Sequence, residues 1–176
     1  MARGASGLVS FGLAGGLDPS LAAGDLVIPA MVIEGDDSFA ADPTLAARFG
    51  AMQPARALAG TVALASIAAK RAAWEASGAA IVDLESGAVA RVASRHGLPF
   101  AVLRAVCDPA GRALPPLALA ALDAGGRIGA RRVIISLLRH PAQLPALILL
   151  ARDAMRARAT LRRAAKACLT SETAGS

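Results

Sequence analysis

AAIVDLESGAVARVASRHGLPFAVLRAVCDP, residues 79–109, decides the fold. Two apolar runs, Ala79–Val82 and Phe100–Val106, read as buried strands. Between them the pattern over Ser86–His96 is helical, and Gly97 and Pro99 close it. Strand, crossover helix, strand is the βαβ unit of a parallel sheet. Each strand leads into acid: Asp83 and Glu85 after the first, Asp108 after the second. In open α/β sheets, groups just past the carboxyl ends of strands face the ligand crevice. Two carboxylates on one rim are therefore a site hypothesis.

The rest of the chain supports a single α/β domain. Its 176 residues are 55% hydrophobic and 18% charged, enough for a sizeable core, and much of the apolar share is alanine. No run of about 18 uninterrupted apolar residues marks a membrane span. MARGASGLVSF lacks the apolar region of a signal peptide. Cys107 and Cys168 make no disulfide framework, which fits a reduced, cytoplasmic setting. Cys107 has no histidine near it in sequence and reads as a buried strand-end residue rather than a nucleophile.

The net charge of +6 comes from one segment. Residues 127–168 hold ten basic side chains against Asp153 alone, so the remainder is net acidic. With no Tyr in the chain and no aromatic residues among the arginines, stacking on bases is poorly supplied and no nucleic-acid partner is expected. The pattern over Pro145–Ala167 is a helix. Arg152, Arg156, Arg158, Arg162, Arg163 and Lys166 share one face of it, opposite Leu147, Leu150, Ala154, Ala157 and Leu161. That is an outer helix docked on a sheet with a solvated basic face. The sharper reading is peripheral contact with an anionic membrane surface.

In chain order, Gly7–Phe11 reads as a strand followed by a glycine-rich turn, Gly12–Gly16, and Leu26–Ile33 as a strand interrupted at Pro29 by an edge or bulge. Glu34–Ser38 is an acidic loop, with no metal site expected. Asp42 and Pro43 open a helix to about Ala51, Gly60–Ile67 is a strand, and Lys70–Ser77 a helix ended by Gly78. Trp74 reads as a packing residue. Pro109–Pro116 is a loop over the crevice, and further helices are expected over Leu117–Ala124 and Gly129–Arg139. His140 marks a helix break, and Thr170–Ser176 is a frayed tail beyond a domain of residues 1–169.

Three segments in order resemble the nucleoside phosphorylase and nucleosidase superfamily, which includes methylthioadenosine/adenosylhomocysteine nucleosidase. They are SFGLAGG (residues 10–16) with GDLV (24–27), VDLES (82–86), and VLRAVCD (102–108). SFGLAGGLDPSLAAGDLV, VDLESGAVARVA and HGLPFAVLRAVCDPAGRALPP are similar to the hopanoid-associated phosphorylase branch. The resemblance implies a three-layer α/β/α sandwich around a central mixed, mostly parallel sheet. It implies cleavage of the N-glycosidic bond of an adenosyl compound, adenosylhopane in the finer match, with release of adenine. Asp108 matches the acid that protonates purine N7. Glu85 matches the carboxylate on the ribose hydroxyls, and Leu84 an apolar residue on the sugar. Ala14 and Gly15 match the loop lining the base and ribose pocket, and Ser66 is placed with these substrate-binding residues.

No cofactor or metal is implied; phosphate is the co-substrate if the reaction is phosphorolysis, and a homo-oligomer is expected. One carboxyl must be protonated while the other stays ionised, so Asp108 needs an upward shift from about 3.9. Relatives carry an earlier strand that supplies nucleophile-positioning groups, and Leu13 stands where they often carry a polar residue. The alternative expectation is thus a nucleoside-binding or interaction protein of the same fold with incomplete catalysis.

Overall fold

The computed structural model describes residues 4–116, 118 and 143–173. Its strands are β1 (Leu8–Gly16), β2 (Leu26–Val27), β3 (Pro29–Glu34), β4 (Asp37–Ala40), β5 (Gln53–Ala59), β6 (Ile81–Asp83) and β7 (Phe100–Asp108). They form one sheet in the order β2-β7-β1-β6-β5-β3-β4. The helices are α1 (Pro43–Ala47), α2 (Ile67–Ser77), α3 (Ser86–Arg95) and α4 (Leu144–Thr173).

The side-chain period of two along β7 builds three layers. Phe100, Val102 and Val106 share a core with Ala90 and Ala93 of α3. Ala101, Leu103 and Ala105 point the other way and share a second core with Ala46 of α1 and Ala157, Leu161 and Ala164 of α4. Alanines dominate both seams, so helices and sheet approach closely. Along α4 the buried positions are Asp153, Ala157, Leu161, Ala164 and Cys168, one stripe at helical spacing. The expected sandwich is therefore present, and its longest ladder, β1 with β7, is parallel.

Strand directions differ from the expected βαβ unit. β6 and β7 are not neighbours: β1 lies between them, parallel to β7 and antiparallel to β6. The cause is the length of β1. The glycine-rich segment expected as a turn is the second half of this nine-residue strand. A register shift between Ala14 and Gly15 puts Gly15 opposite both Val82 and Asp108. Glycine is required there by close approach, since an added Cβ on Gly12 would overlap Arg104 Nη1 and one on Gly15 would sit 3.2 Å from Val82 Cγ1.

Other boundaries move for identifiable reasons. The stretch 26–33 splits at Ile28 into β2, beside β7, and β3, beside β5, with a bulge between Pro29 and Met31. The strand expected over Gly60–Ile67 is instead β5, seven residues earlier, because Ala57, Leu58 and Ala59 pair with β6. The helix after Asp42 stops at Ala47, although Asp42 caps it as expected by accepting from Leu45 N. Ser66 caps α2, and Gly78, at φ 61°, ends it. Trp74 packs against Leu17, Ala79 and Val82. The acidic loop is a tight hairpin turn between β3 and β4, and Glu34 pairs with Arg91 of α3. Residues 170–173, expected in the tail, continue α4. The helices expected over 117–124 and 129–139, and His140, lie outside the described residues apart from Ala118.

Gly12→Ala is expected to lower the unfolding free energy by about 1–3 kcal/mol, because a methyl group displaces a locked guanidinium. Urea denaturation measures it.

Candidate active site

Asp108 ends β7 with its side chain nearly buried, and its Oδ2 lies 2.6 Å from Lys70 Nζ. Lys70, on the first turn of α2, is 1% exposed. Its ammonium donates to three carbonyls as well: Asp108 O at 3.4 Å, Pro109 O at 3.0 Å and Arg112 O at 2.8 Å. One buried cation thus fixes the acid and the loop that follows it. Leu114 N donating to Ala65 O ties the same loop to the start of α2. Burial pushes the Asp108 carboxyl upward; Lys70 and Arg112 pull it back, and Asp153 adds to the rise. The net shift is upward, so the acid form persists to higher pH than in free aspartate.

Arg104 is the second buried cation, on β7 four residues earlier. Nη2 donates to Ser10 Oγ at 2.6 Å and Asp83 Oδ1 at 3.0 Å, while Nη1 lies 3.0 Å from Glu85 Oε2 and donates to Leu13 O at 3.4 Å. Asp83 also holds the entry to α3, accepting from Glu85 N, Ser86 N and Ser86 Oγ. Its carboxylate is structural. The Glu85 side chain is 68% exposed and leans on Arg104, with Oε1 unengaged among the described residues.

Glu85 and Asp108 are held by different cations, Arg104 and Lys70. Gly15 of β1 lies opposite both Val82, at the end of β6, and Asp108, at the end of β7, while Arg104 is level with Gly12. The remaining expected residues are placed as follows. Leu84 is half exposed beside Gly60. Gly15 lies on β1 between Val82 and Asp108. Ala14 is on a strand rather than a loop, and its methyl is buried in the α3-side core, so only its backbone remains for a ligand. Ser66 uses its hydroxyl to accept from Ala69 N at the α2 cap, which makes it a support for Lys70.

A cavity of about 180 Å³ adjoins Asp108, lined by Cys107, Arg112 and Asp153 and by Leu149 and Leu150 of α4. Arg112 pairs with the buried Asp153, joining the loop to α4. The Cys107 thiol is pushed up to about 11, first by burial and then by Asp108, and it donates to Ala14 O; it is no thiolate nucleophile. Among the described residues no cluster of three or more His, Cys, Asp and Glu could hold a metal ion.

Sequence reasoning missed Lys70 and Arg104. Lys70 is one of two lysines in a chain with seventeen arginines, and Arg104 is a lone charge inside an apolar strand. A charge in such a run needs a buried partner.

Residues 59–139, which carry Lys70, Asp83, Glu85, Arg104 and Asp108, match the family model of the phosphorylase superfamily. The fold is that of this superfamily. Among solved structures, the 5′-methylthioadenosine/S-adenosylhomocysteine nucleosidase from Neisseria meningitidis, complexed with methylthio-immucillin-A, has a TM-score of 0.65 at 17% identity. That match covers 95% of this chain and 70% of the other. The Colwellia psychrerythraea enzyme of the same description, in complex with adenine, has a TM-score of 0.54 at 22% identity, covering 59% and 55%. A futalosine hydrolase mutant of Helicobacter pylori has a TM-score of 0.55 at 18% identity, covering 76% and 68%. The chain thus spans little more than half the length of the Colwellia enzyme. No curated protein matches. These identities make the likeness one of phosphorylase-superfamily fold.

Lys70→Met, which leaves a buried carboxylate without its counter-ion, is expected to cost about 3–5 kcal/mol of stability. Lys70→Met/Asp108→Leu should recover much of it, read by urea unfolding of the single and double variants.

Proposed function

We propose that the protein cleaves the N-glycosidic bond of an adenosyl nucleoside and releases adenine, with Asp108 as the general acid. The observation that carries the reading is Asp108 itself: a buried carboxyl at the end of a central strand, shifted upward and open to a cavity. As the bond from C1′ to N9 breaks, its electron pair passes to the purine. Asp108 delivers a proton to N7, which neutralises the leaving base. Lys70 stabilises the aspartate left behind. Water or phosphate supplies the oxygen that bonds to C1′ of the oxocarbenium-like sugar; attacking water releases its proton to solvent, from which Asp108 is reprotonated, and phosphate would make the reaction a phosphorolysis. Glu85, fixed at one oxygen by Arg104, offers the other to the ribose hydroxyls. Leu84 and the backbone of Ala14 and Gly15 complete the sugar and base contacts. The sequence resemblance supports adenosylhopane as substrate and a role in hopanoid biosynthesis, as well as a homo-oligomeric state.

A second reading is a nucleoside-binding or interaction protein without turnover. It is favoured by the engagement of Asp108 Oδ2 with Lys70.

The deciding experiment measures adenine release from adenosine, methylthioadenosine and an adenosylated hopanoid, with and without phosphate. Asp108→Asn is expected to lower release by about 10²–10⁴-fold while adenine binding persists. Binding without release in the parent protein supports the second reading; release that survives Asp108→Asn removes Asp108 from the mechanism. The pH profile tests the tuning. Activity needs protonated Asp108, so it falls as pH rises through that group's raised pKa. Removing the Lys70 charge raises the pKa further, so Lys70→Met should carry the alkaline limb of kcat/KM to higher pH.

A further inference from the structure

We propose that the outer face of α4 docks on an anionic lipid bilayer. The helix buries Asp153, Ala157, Leu161, Ala164 and Cys168 against the sheet. At about 100° per residue, Ile148, Met155, Arg162 and Lys166 lie within roughly 40° of one another on the opposite side. Ile148 is 47% exposed and Met155 61%, while Arg152 and Arg158, which flank them, are also exposed. Within residues 144–168 the one acid, Asp153, is on the buried stripe. The outer face over residues 144–168 is therefore positive and studded with large apolar side chains.

That combination selects the occupant. A second copy related by two-fold symmetry would set arginines against arginines, which like-charge repulsion opposes. Nucleic acid would satisfy the cations but leave Ile148 and Met155 in water, and α4 has no aromatic residue to stack on bases. An anionic bilayer satisfies both: the apolar tips enter the headgroup boundary and the guanidinium groups meet phosphates. No described helix is long and apolar enough to cross a membrane, so contact would be in the interface plane. The inference stands on α4 alone and holds whether or not the nucleoside reading does.

The test is co-sedimentation of the full chain with phosphatidylcholine vesicles with and without phosphatidylglycerol, at low and high salt. Arg152→Glu/Arg162→Glu and Ile148→Glu/Met155→Glu change only exposed positions outside the site, and thermal melts by circular dichroism check that both fold. Binding is expected only with phosphatidylglycerol, weakened by salt and lowered about tenfold or more by each double variant. Absence of binding to phosphatidylglycerol vesicles at low salt overturns the proposal. So does binding that the arginine variant loses and the apolar variant keeps, which marks anion attraction without insertion.

Discussion

The buried pair of Lys70 and Asp108 is the constraint on which the loop, the cavity and the acid all depend. An ammonium that is 1% exposed must find partners, and this one finds a carboxylate and three carbonyls within one short stretch of chain. The geometry couples structure to chemistry. The contacts that shape residues 108–112 also set how readily Asp108 holds a proton. Burial alone would leave a weak acid and the ion pair alone a permanent carboxylate; together they oppose each other around one oxygen atom. Mutational effects on folding and on proton transfer at this position will not separate cleanly.

Arg104 performs the corresponding task four residues earlier on the same strand. Its guanidinium links β7 to β1 through Ser10, to β6 through Asp83, and to the sugar-side candidate Glu85. The glycines of β1 follow from this. Gly12 leaves room for the guanidinium and Gly15 for Val82, so the small residues of that segment are shaped by the protein's own side chains at least as much as by any ligand. Each charged cluster is built on a residue of β7, Arg104 in one and Asp108 in the other, so the register of that strand places both.

Much of this was legible in the sequence because it rests on local chemistry. The helix from Ser86, its stop at Gly97, the cap at Asp42, the strand from Phe100 and, on the long terminal helix, the burial of Ala157 and Leu161 all follow from residues within a few positions of one another. What escaped reading was long-range. The direction of β6 against β1 and the conversion of a glycine-rich turn into strand are decided by pairing between distant segments. Lys70 is separated from Arg112 by 42 residues and Arg104 from Ser10 by 94. Periodicity within a window carries no information about such partners; only the demand of a buried charge for a counter-charge does. Ser66 accepts from Ala69 N at a helix cap, and the methyl of Ala14 belongs to the core.

The central ladder also fixes when the molecule can become itself. Leu8 pairs with Phe100, and every rung of β1 against β7 joins segments of comparable separation. At roughly 5–20 residues per second, a growing chain makes β1 and then waits on the order of 5–20 s before its main partner strand exists. For most of that interval the nine-residue strand has neither sheet partner, since β6, its other neighbour, begins only at Ile81. The charged clusters, which need β7 in place, assemble last. Folding is therefore a late, non-local closure, in which the segment richest in glycine spends longest exposed to wrong pairings.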